Sequence, residues 1–360
     1  VNCYIHVPFC RSKCGYCAFY SEPGASEELI SSWLDKVICD MEKHPDIKAE
    51  TVYIGGGTPT LPDASQLERL LDAVMRFLSP VSGCEITIES NPETLDNRKI
   101  QLLEQYVTRI SLGVQSFDPA LRRTLGRNCS SQALSNAISL IQQSSIKHFN
   151  CDLIYGIPGQ TRSQWLNDLE TVASCGVDHV SCYSLTPEEQ SLLGSTFIID
   201  DEIAVGMYHD AEKTLKKYGI ERYEISNYAL PGAECRHNIN VWKGGKLAAF
   251  GPSGAGFDGV SRTINCENLS GWLNGAAAEK DELSQEARCR EIFAVNLRTV
   301  RGWNCRDWCF SGLSWREISE IFSSAMESVP DKFYIINGQN IRLTPDGLLY
   351  WNDIAERVIL

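Results

Sequence analysis

No stretch of this chain stays apolar for anything near the roughly 18 residues that a membrane span needs. There is also no internal repeat, no low-complexity tract and no block of like charge. Positive charge is in short supply: 33 Lys and Arg stand against 46 Asp and Glu, a formal net charge of −13. A general nucleic-acid binder would need a basic stripe, so that class is excluded, while a local basic pocket for a small anion is not. No charged segment followed by an apolar core precedes the first strand-like stretch. The expectation is therefore a chain without a secretory leader. Val1 is not an ordinary start, and a few preceding residues are expected to be missing.

Cysteine, by contrast, is plentiful. The 15 cysteines are odd in number and scattered from Cys3 to Cys309. A secreted disulfide scaffold would be shorter and evenly paired, so the pattern points to a reducing cytoplasm. Cys39, Cys151, Cys175 and Cys182 fall within helix-like or strand-like apolar patterns and are expected to be small core hydrophobes.

With 360 residues, 43% of them apolar, the chain can bury one large α/β domain and a smaller one. Strand-like runs at 3–7, 51–57, 84–92, 109–116, 147–159 and 177–187 alternate with helical spacing at 27–44, 64–78, 131 onward and 161–175. Thr161 is a candidate helix cap. Six such units predict a parallel sheet, open or partly closed, with its chemistry at the C-terminal strand ends. A helix near 201–218 ends this part. Residues 221–282 read as irregular connections between short strands. Residues 283–360 read as a small winged-helix-like unit, with an Asn-Gly hairpin turn at 337–338.

Cys10, Cys14 and Cys17 are spaced C-x3-C-x2-C in "YIHVPFCRSKCGYC". With 15 cysteines in 360 residues, chance supplies this spacing roughly 0.03 times. Three thiolates can hold three irons of a [4Fe–4S] cube and leave the fourth iron open to a small molecule. A structural zinc site is the alternative. It would need a fourth ligand, for which Cys3 and His6 are the nearby candidates. Glycines at 55–57 let the backbone approach a ligand. Glu89 and Gln115 stand at strand ends, where a carboxylate and an amide suit hydroxyls and amines. Asp152 lies in an apolar run, and an ion pair with Arg127 would relieve the cost of burying it.

In this order and spacing "YIHVPFCRSKCGYC", "GGGTPT", "ESNPET", "SLGVQSFD", "LGR", "DLIYGIPGQT", "YEISNYA", "CRHNINVW" and "LTPDG" resemble the radical S-adenosylmethionine (SAM) superfamily. Within it they resemble the branch that holds the oxygen-independent coproporphyrinogen oxidases and the haem chaperones of the HemW family. The resemblance implies a partial (β/α)6 barrel over residues 1–220, an extension over 221–282 and a helical C-terminal unit over 283–360. It implies a [4Fe–4S] cluster on Cys10, Cys14 and Cys17. It places SAM among Tyr4, Gly56, Gly57, Thr58, Glu89, Gln115, Arg127 and Asp152, part of which can serve a second SAM. It implies haem on His237 of "CRHNINVW", with Asn238 beside it, Trp242 against the macrocycle and Arg236 as a partner for the propionates. The implied partners are haem or a porphyrin, a haem-accepting protein, and an electron donor such as flavodoxin or ferredoxin. Phe19 stands where the oxidases carry a further cysteine, which favours a chaperone over a coproporphyrinogen oxidase or a radical SAM methyltransferase. Val241 stands where the chaperones usually have tyrosine. Ala18, Cys129 and the histidine-free "GPSGAGF" depart from the common pattern and bear on the substrate.

Overall fold

The computed structural model describes residues 1–186, 200–304 and 313–360, which leaves out Cys305 and Cys309. Six strands follow one another as expected: β1 (Asn2–Val7), β2 (Thr51–Gly56), β3 (Glu85–Ser90), β4 (Arg109–Gln115), β5 (His148–Tyr155) and β6 (His179–Ser184). Each pairs in parallel with the next. Their residues alternate in character, because successive side chains of a strand point to opposite faces. Ile110, Leu112 and Val114 of β4 face outward into the core, while Arg109, Ser111 and Gly113 face the concave interior.

The helices cover the outer face. They are α1 (Glu27–Glu42), α2 (Ala64–Phe77), α3 (Asn97–Leu103), α4 (Pro119–Thr124), α5 (Ser131–Gln142), α6 (Arg162–Ser174) and α7 (Asp201–Lys216). Their starts are written in the sequence. Thr161 caps α6 with its side chain accepting from the Gln164 amide, and Asp63 does the same for α2 with Gln66. Ile30, Trp33, Leu34, Val37 and Met41 form the buried stripe of α1. Cys39 falls off that stripe and is exposed, so the expectation of a core residue is corrected there. Cys151 and Cys182 are buried as expected, and Cys175 is half-buried at the end of α6.

Residues 221–282 are woven into the same sheet on both edges. β7 (Glu221–Arg222) and β8 (Asn227–Ala229) add beyond β6. β9 (Leu247–Phe250) adds in parallel on the far side of β1 and is followed by β10 (Ala255–Phe257), β11 (Arg262–Ile264) and β12 (Glu279–Lys280). The described residues of this sheet form 12 strands in the order β12-β11-β10-β9-β1-β2-β3-β4-β5-β6-β8-β7. Among the described residues its two end strands share no ladder, so the barrel is partial and open. Between the two edge segments runs the short helix α8 (Arg236–Trp242), which packs against β1 and β2.

After α9 (Leu269–Leu273), the C-terminal unit has its own core around Phe293, Trp303 and Phe322. It contains α10 (Gln285–Asn296), β13 (Trp303–Asn304), α11 (Trp315–Met326), β14 (Tyr334–Asn337), β15 (Asn340–Leu343), α12 (Pro345–Leu349) and α13 (Trp351–Ile359). The hairpin β14–β15 turns at Gly338, whose φ of 60° suits the expected Asn-Gly turn. No described helix is long and apolar enough to cross a membrane.

Candidate functional site

The loop after β1 carries the three cysteines. Its two ends are tied by a short parallel bridge between Phe9–Cys10 and Glu22–Pro23. The Gly15 amide donates to Leu125 O at 3.0 Å, which braces the loop on the end of α4. Cys10, Cys14 and Cys17 are half-buried and open into one cavity of about 560 Å3 at the C-terminal strand ends. Burial and the nearby Cys14 push the Cys10 and Cys17 thiols up, with Cys17 adding to the rise at Cys10, so thiolates here would be favoured by a cationic metal group.

The donor set fits an open-sided iron–sulfur cube better than zinc. The two candidates for a fourth zinc ligand are engaged elsewhere. Cys3 lies in the outer core, fully buried. His6 uses both nitrogens, Nδ1 with Tyr4 Oη at 3.1 Å and Nε2 with Tyr20 O at 3.2 Å.

Thr58 connects the cysteine loop to the strand ends. Its hydroxyl donates to Cys10 Sγ at 3.7 Å and accepts from Asn91 Nδ2 at 2.7 Å. Asn91 in turn accepts from Arg127 Nη1 at 2.7 Å. Gln115 sits at a bulge with φ of 66°, a strained conformation for a residue with a side chain. Its turn is pinned by buried Asp168, which accepts from Ser116 Oγ at 2.6 Å and Phe117 N at 2.8 Å.

Gly56, Gly57, Thr58, Glu89, Gln115, Arg127 and Asp152 all line the cysteine cavity. Three details differ from the sequence reading. Arg127 and Asp152 form no direct ion pair. Arg127 donates to Asn91 and to Gly113 O (2.9 Å), while Asp152 accepts from Ser111 Oγ at 3.0 Å and Asn150 Nδ2 at 2.8 Å. Neutral partners, one on the neighbouring strand β4 and one on β5 itself, thus satisfy the carboxylate, with Arg127 acting only at longer range. At Gly56, with φ of 109°, a Cβ would meet the His6 ring at 2.6 Å, away from the cavity. Side chains there would strain the fold and not simply fill ligand space. Tyr4 lines a second cavity, described next.

Glu89 faces the first cavity from β3. Burial raises its carboxyl to about 7, against opposing bonds from Tyr53 and the Gly56 amide, and Asp152 adds to the rise. With no cation beside it, Glu89 therefore keeps its proton up to about neutral pH. An ammonium-bearing ligand favours the ionised form and expels that proton. Its affinity is expected to rise about tenfold per pH unit below 7 and to level off above. Calorimetry of SAM binding at pH 6 and pH 8, in two buffers of different ionisation enthalpy, should register one released proton at the lower pH. Glu89→Gln should lose both the release and the slope.

The second cavity, about 280 Å3, lies between α8, β1 and the β9–β10 corner. Tyr4, His6, His237, Val241, Trp242 and Leu247 are among its walls, and Phe19 and Asn238 border both cavities. A hydrogen-bond chain fixes the His237 ring. Asn2 Nδ2 donates to Lys246 O at 3.0 Å, so Asn2 Oδ1 accepts from Thr51 Oγ1 at 2.9 Å. Thr51 Oγ1, its own proton spent, accepts from His237 Nδ1 at 2.8 Å. The lone pair is thereby placed on Nε2. Burial lowers the imidazole to about 4, so it is neutral at physiological pH. A neutral ring with Nδ1 tied back and Nε2 free is the form that ligates metals.

Sequence reasoning missed what holds α8. Buried Glu85 accepts from the His237 amide at 3.0 Å and from Arg109 Nη2 at 3.1 Å. Arg109 Nη2 also donates to Ala233 O at 2.9 Å and Glu234 O at 3.3 Å. This pair sits at the first residues of β3 and β4, and only the inward alternation of those strands hinted at it. Arg236 points elsewhere than expected: it is exposed and donates to Gly83 O at 2.7 Å, outside the second cavity. Trp242 does line that cavity, and Arg298 stacks over its ring at 4.7 Å, linking α8 to the C-terminal unit.

A three-cysteine loop over the open end of a partial parallel barrel defines a radical SAM protein. The model of the Radical SAM superfamily matches residues 4–172. The chain is 30% identical to the haem chaperone HemW of Lactococcus lactis over 376 residues, covering 100% of this chain and 97% of that protein. It is 34% identical to the HemW of Mycobacterium tuberculosis over 318 residues, covering 83% and 82%. The chain belongs to the HemW family of the radical SAM superfamily. Its fold is similar to that of the coproporphyrinogen III oxidase HemN from Escherichia coli, with a TM-score of 0.83 over 99% of this chain and 89% of that one, at 18% identity.

Proposed function

We propose that this chain is a haem chaperone. It holds a [4Fe–4S] cluster on Cys10, Cys14 and Cys17, SAM against Glu89 and its neighbours, and haem iron on His237. When bound, the cluster supplies an open iron for the SAM amino and carboxylate groups and an electron for sulfonium cleavage. The chain's part is placement. Thr58 donates toward the Cys10 sulfur, Glu89 receives an ammonium, and the Asn2–Thr51 chain holds His237 Nδ1 so that Nε2 is offered.

The observation that carries this reading is the pair of adjoining cavities, one with the three cysteines and one with a neutral, oriented histidine. At about 280 Å3 the second cavity is smaller than the ~300–1,000 Å3 of pockets that engulf their ligands. It would take one edge of a macrocycle and leave the rest outside, which suits a carrier that must release its cargo. The haem-accepting protein would meet that exposed edge. An electron donor such as flavodoxin or ferredoxin would serve the cluster, whose loop presents exposed Arg11 and Lys13 in an otherwise acidic chain. The place of work is the cytoplasm.

His237→Ala should shift the haem absorption spectrum and reduce haem retention on a desalting column by tenfold or more. Its iron–sulfur absorption should remain. An unchanged spectrum and retention, together with turnover of coproporphyrinogen in a product assay, would replace the chaperone reading with the oxidase.

A further inference from the structure

The two cavities are separated by a closed ring of five residues from three adjacent strands. Tyr53 Oη donates to Glu89 Oε1 at 2.7 Å, and the Gly56 amide donates to Glu89 Oε2 at 3.0 Å. The Gly56 backbone abuts the His6 ring, leaving no room for a Cβ. His6 Nδ1 and Tyr4 Oη are 3.1 Å apart. The Tyr4 ring stacks on Tyr53, centroids 6.2 Å apart and planes at 28°, which closes the circle. Tyr53, Gly56 and Glu89 face the cysteine cavity, while Tyr4 and His6 face the second. The Tyr53 ring also lies 5.1 Å from the His237 ring.

We infer that this ring couples the two cavities, with Tyr53 as the positioning residue, so that an ammonium-bearing ligand against Glu89 tightens binding of a metal-bearing ligand at His237. The inference rests on the proposed function of both cavities. Its direction follows from the hydrogen bonds. Glu89 accepts both the Tyr53 hydroxyl and the Gly56 amide as a carboxylate. A ligand cation that holds it ionised therefore favours the ring as it stands. The ring in turn is the surface against which His237 is seated. Because the wall is close-packed, it has little room for intermediate positions. By linkage the effect is reciprocal: a ligand on His237 raises affinity at Glu89 by the same factor.

The test uses anaerobically reconstituted full-length protein, with haem affinity measured by Soret titration with and without saturating SAM. The wild type should show haem binding tightened by about fivefold or more. In Tyr53→Phe, which keeps the aromatic wall and removes the hydroxyl, the ratio should fall to about one. Tyr4→Phe, which opens the ring on its other side, should lower it too. The readout is a ratio of two affinities within one variant, so a general weakening of the fold cancels. A ratio of one in the wild type, or the same ratio in both variants as in the wild type, overturns the coupling. If instead His237→Ala leaves the haem spectrum unaltered, the reading of the second cavity falls and the coupling with it. If His237→Ala abolishes the spectrum while the wild-type ratio is one, the coupling alone is lost.

Discussion

A Cys14→Ala variant, purified and reconstituted without oxygen, is expected to hold close to no iron or sulfide and to lack visible cluster absorption. Two thiolates cannot retain a cube whose fourth corner has no protein ligand. Neither His6 nor Cys3 can step in, because His6 is bonded through both nitrogens and Cys3 faces the outer core. Cys10→Ala and Cys17→Ala should behave alike. Cys39→Ala, on the solvent side of α1, should keep a full cluster. Iron and sulfide assays decide the matter, and full iron content in Cys14→Ala would sink the assignment. Stoichiometric zinc in protein isolated anaerobically would restore the structural-metal alternative.

The second large effect is expected at Glu85. Glu85→Ala removes the only carboxylate among the described residues that is paired with Arg109, whose side chain is 2% exposed. Breaking one partner of a buried pair typically costs about 3–5 kcal/mol, because the remaining charge cannot return to water. In a protein of 360 residues that corresponds to a fall in Tm of roughly 4–7 °C. The loss should be local in its consequence. Glu85 also holds the His237 amide, so haem retention should suffer before the cluster does. Glu85→Gln, which keeps an acceptor, should fall between the two. Calorimetric unfolding with parallel haem and iron assays measures all three properties. A Tm within 2 °C of wild type in Glu85→Ala would show that Arg109 finds its stability elsewhere.

Much of the barrel could be read from the chain because its signals are local. The six parallel strands come from apolar runs of strand length, and the capping residues Asp63 and Thr161 sit where the helices begin. The cysteine loop is equally local, with all three ligands within eight residues. The parts that escaped depend on register between distant strands. Glu85 and Arg109 look like ordinary surface charges at strand starts, and only folding turns both inward. Asp152 was given a charged partner on grounds of burial cost, but Ser111 on the neighbouring strand and Asn150, two residues earlier on its own strand, lie beside it. β9, with the sequence "LAAF", is too short and too small-residued to announce itself, and its neighbour is β1 at the other end of the chain. Tyr4 was grouped with the SAM residues by motif. Its position one layer below the strand ends puts it on the far side of the Tyr53 wall.

That pairing of β9 with β1 has a kinetic meaning during synthesis. Asn2 is opposite Leu247, a separation of 247 − 2 = 245 residues. At about 5–20 residues per second, the ribosome delivers the partner strand roughly 12–50 s after β1 emerges. For that interval β1 is an open edge beside a growing sheet, and edges of this kind are where nascent chains aggregate. The helix that bears His237 is made just before β9, so the cysteine loop is available to a cluster long before the histidine is seated. Loading in the cell is thereby ordered by the chain itself: iron and sulfur can enter a partly built barrel, whereas the histidine pocket exists only once β9 has come back to meet β1.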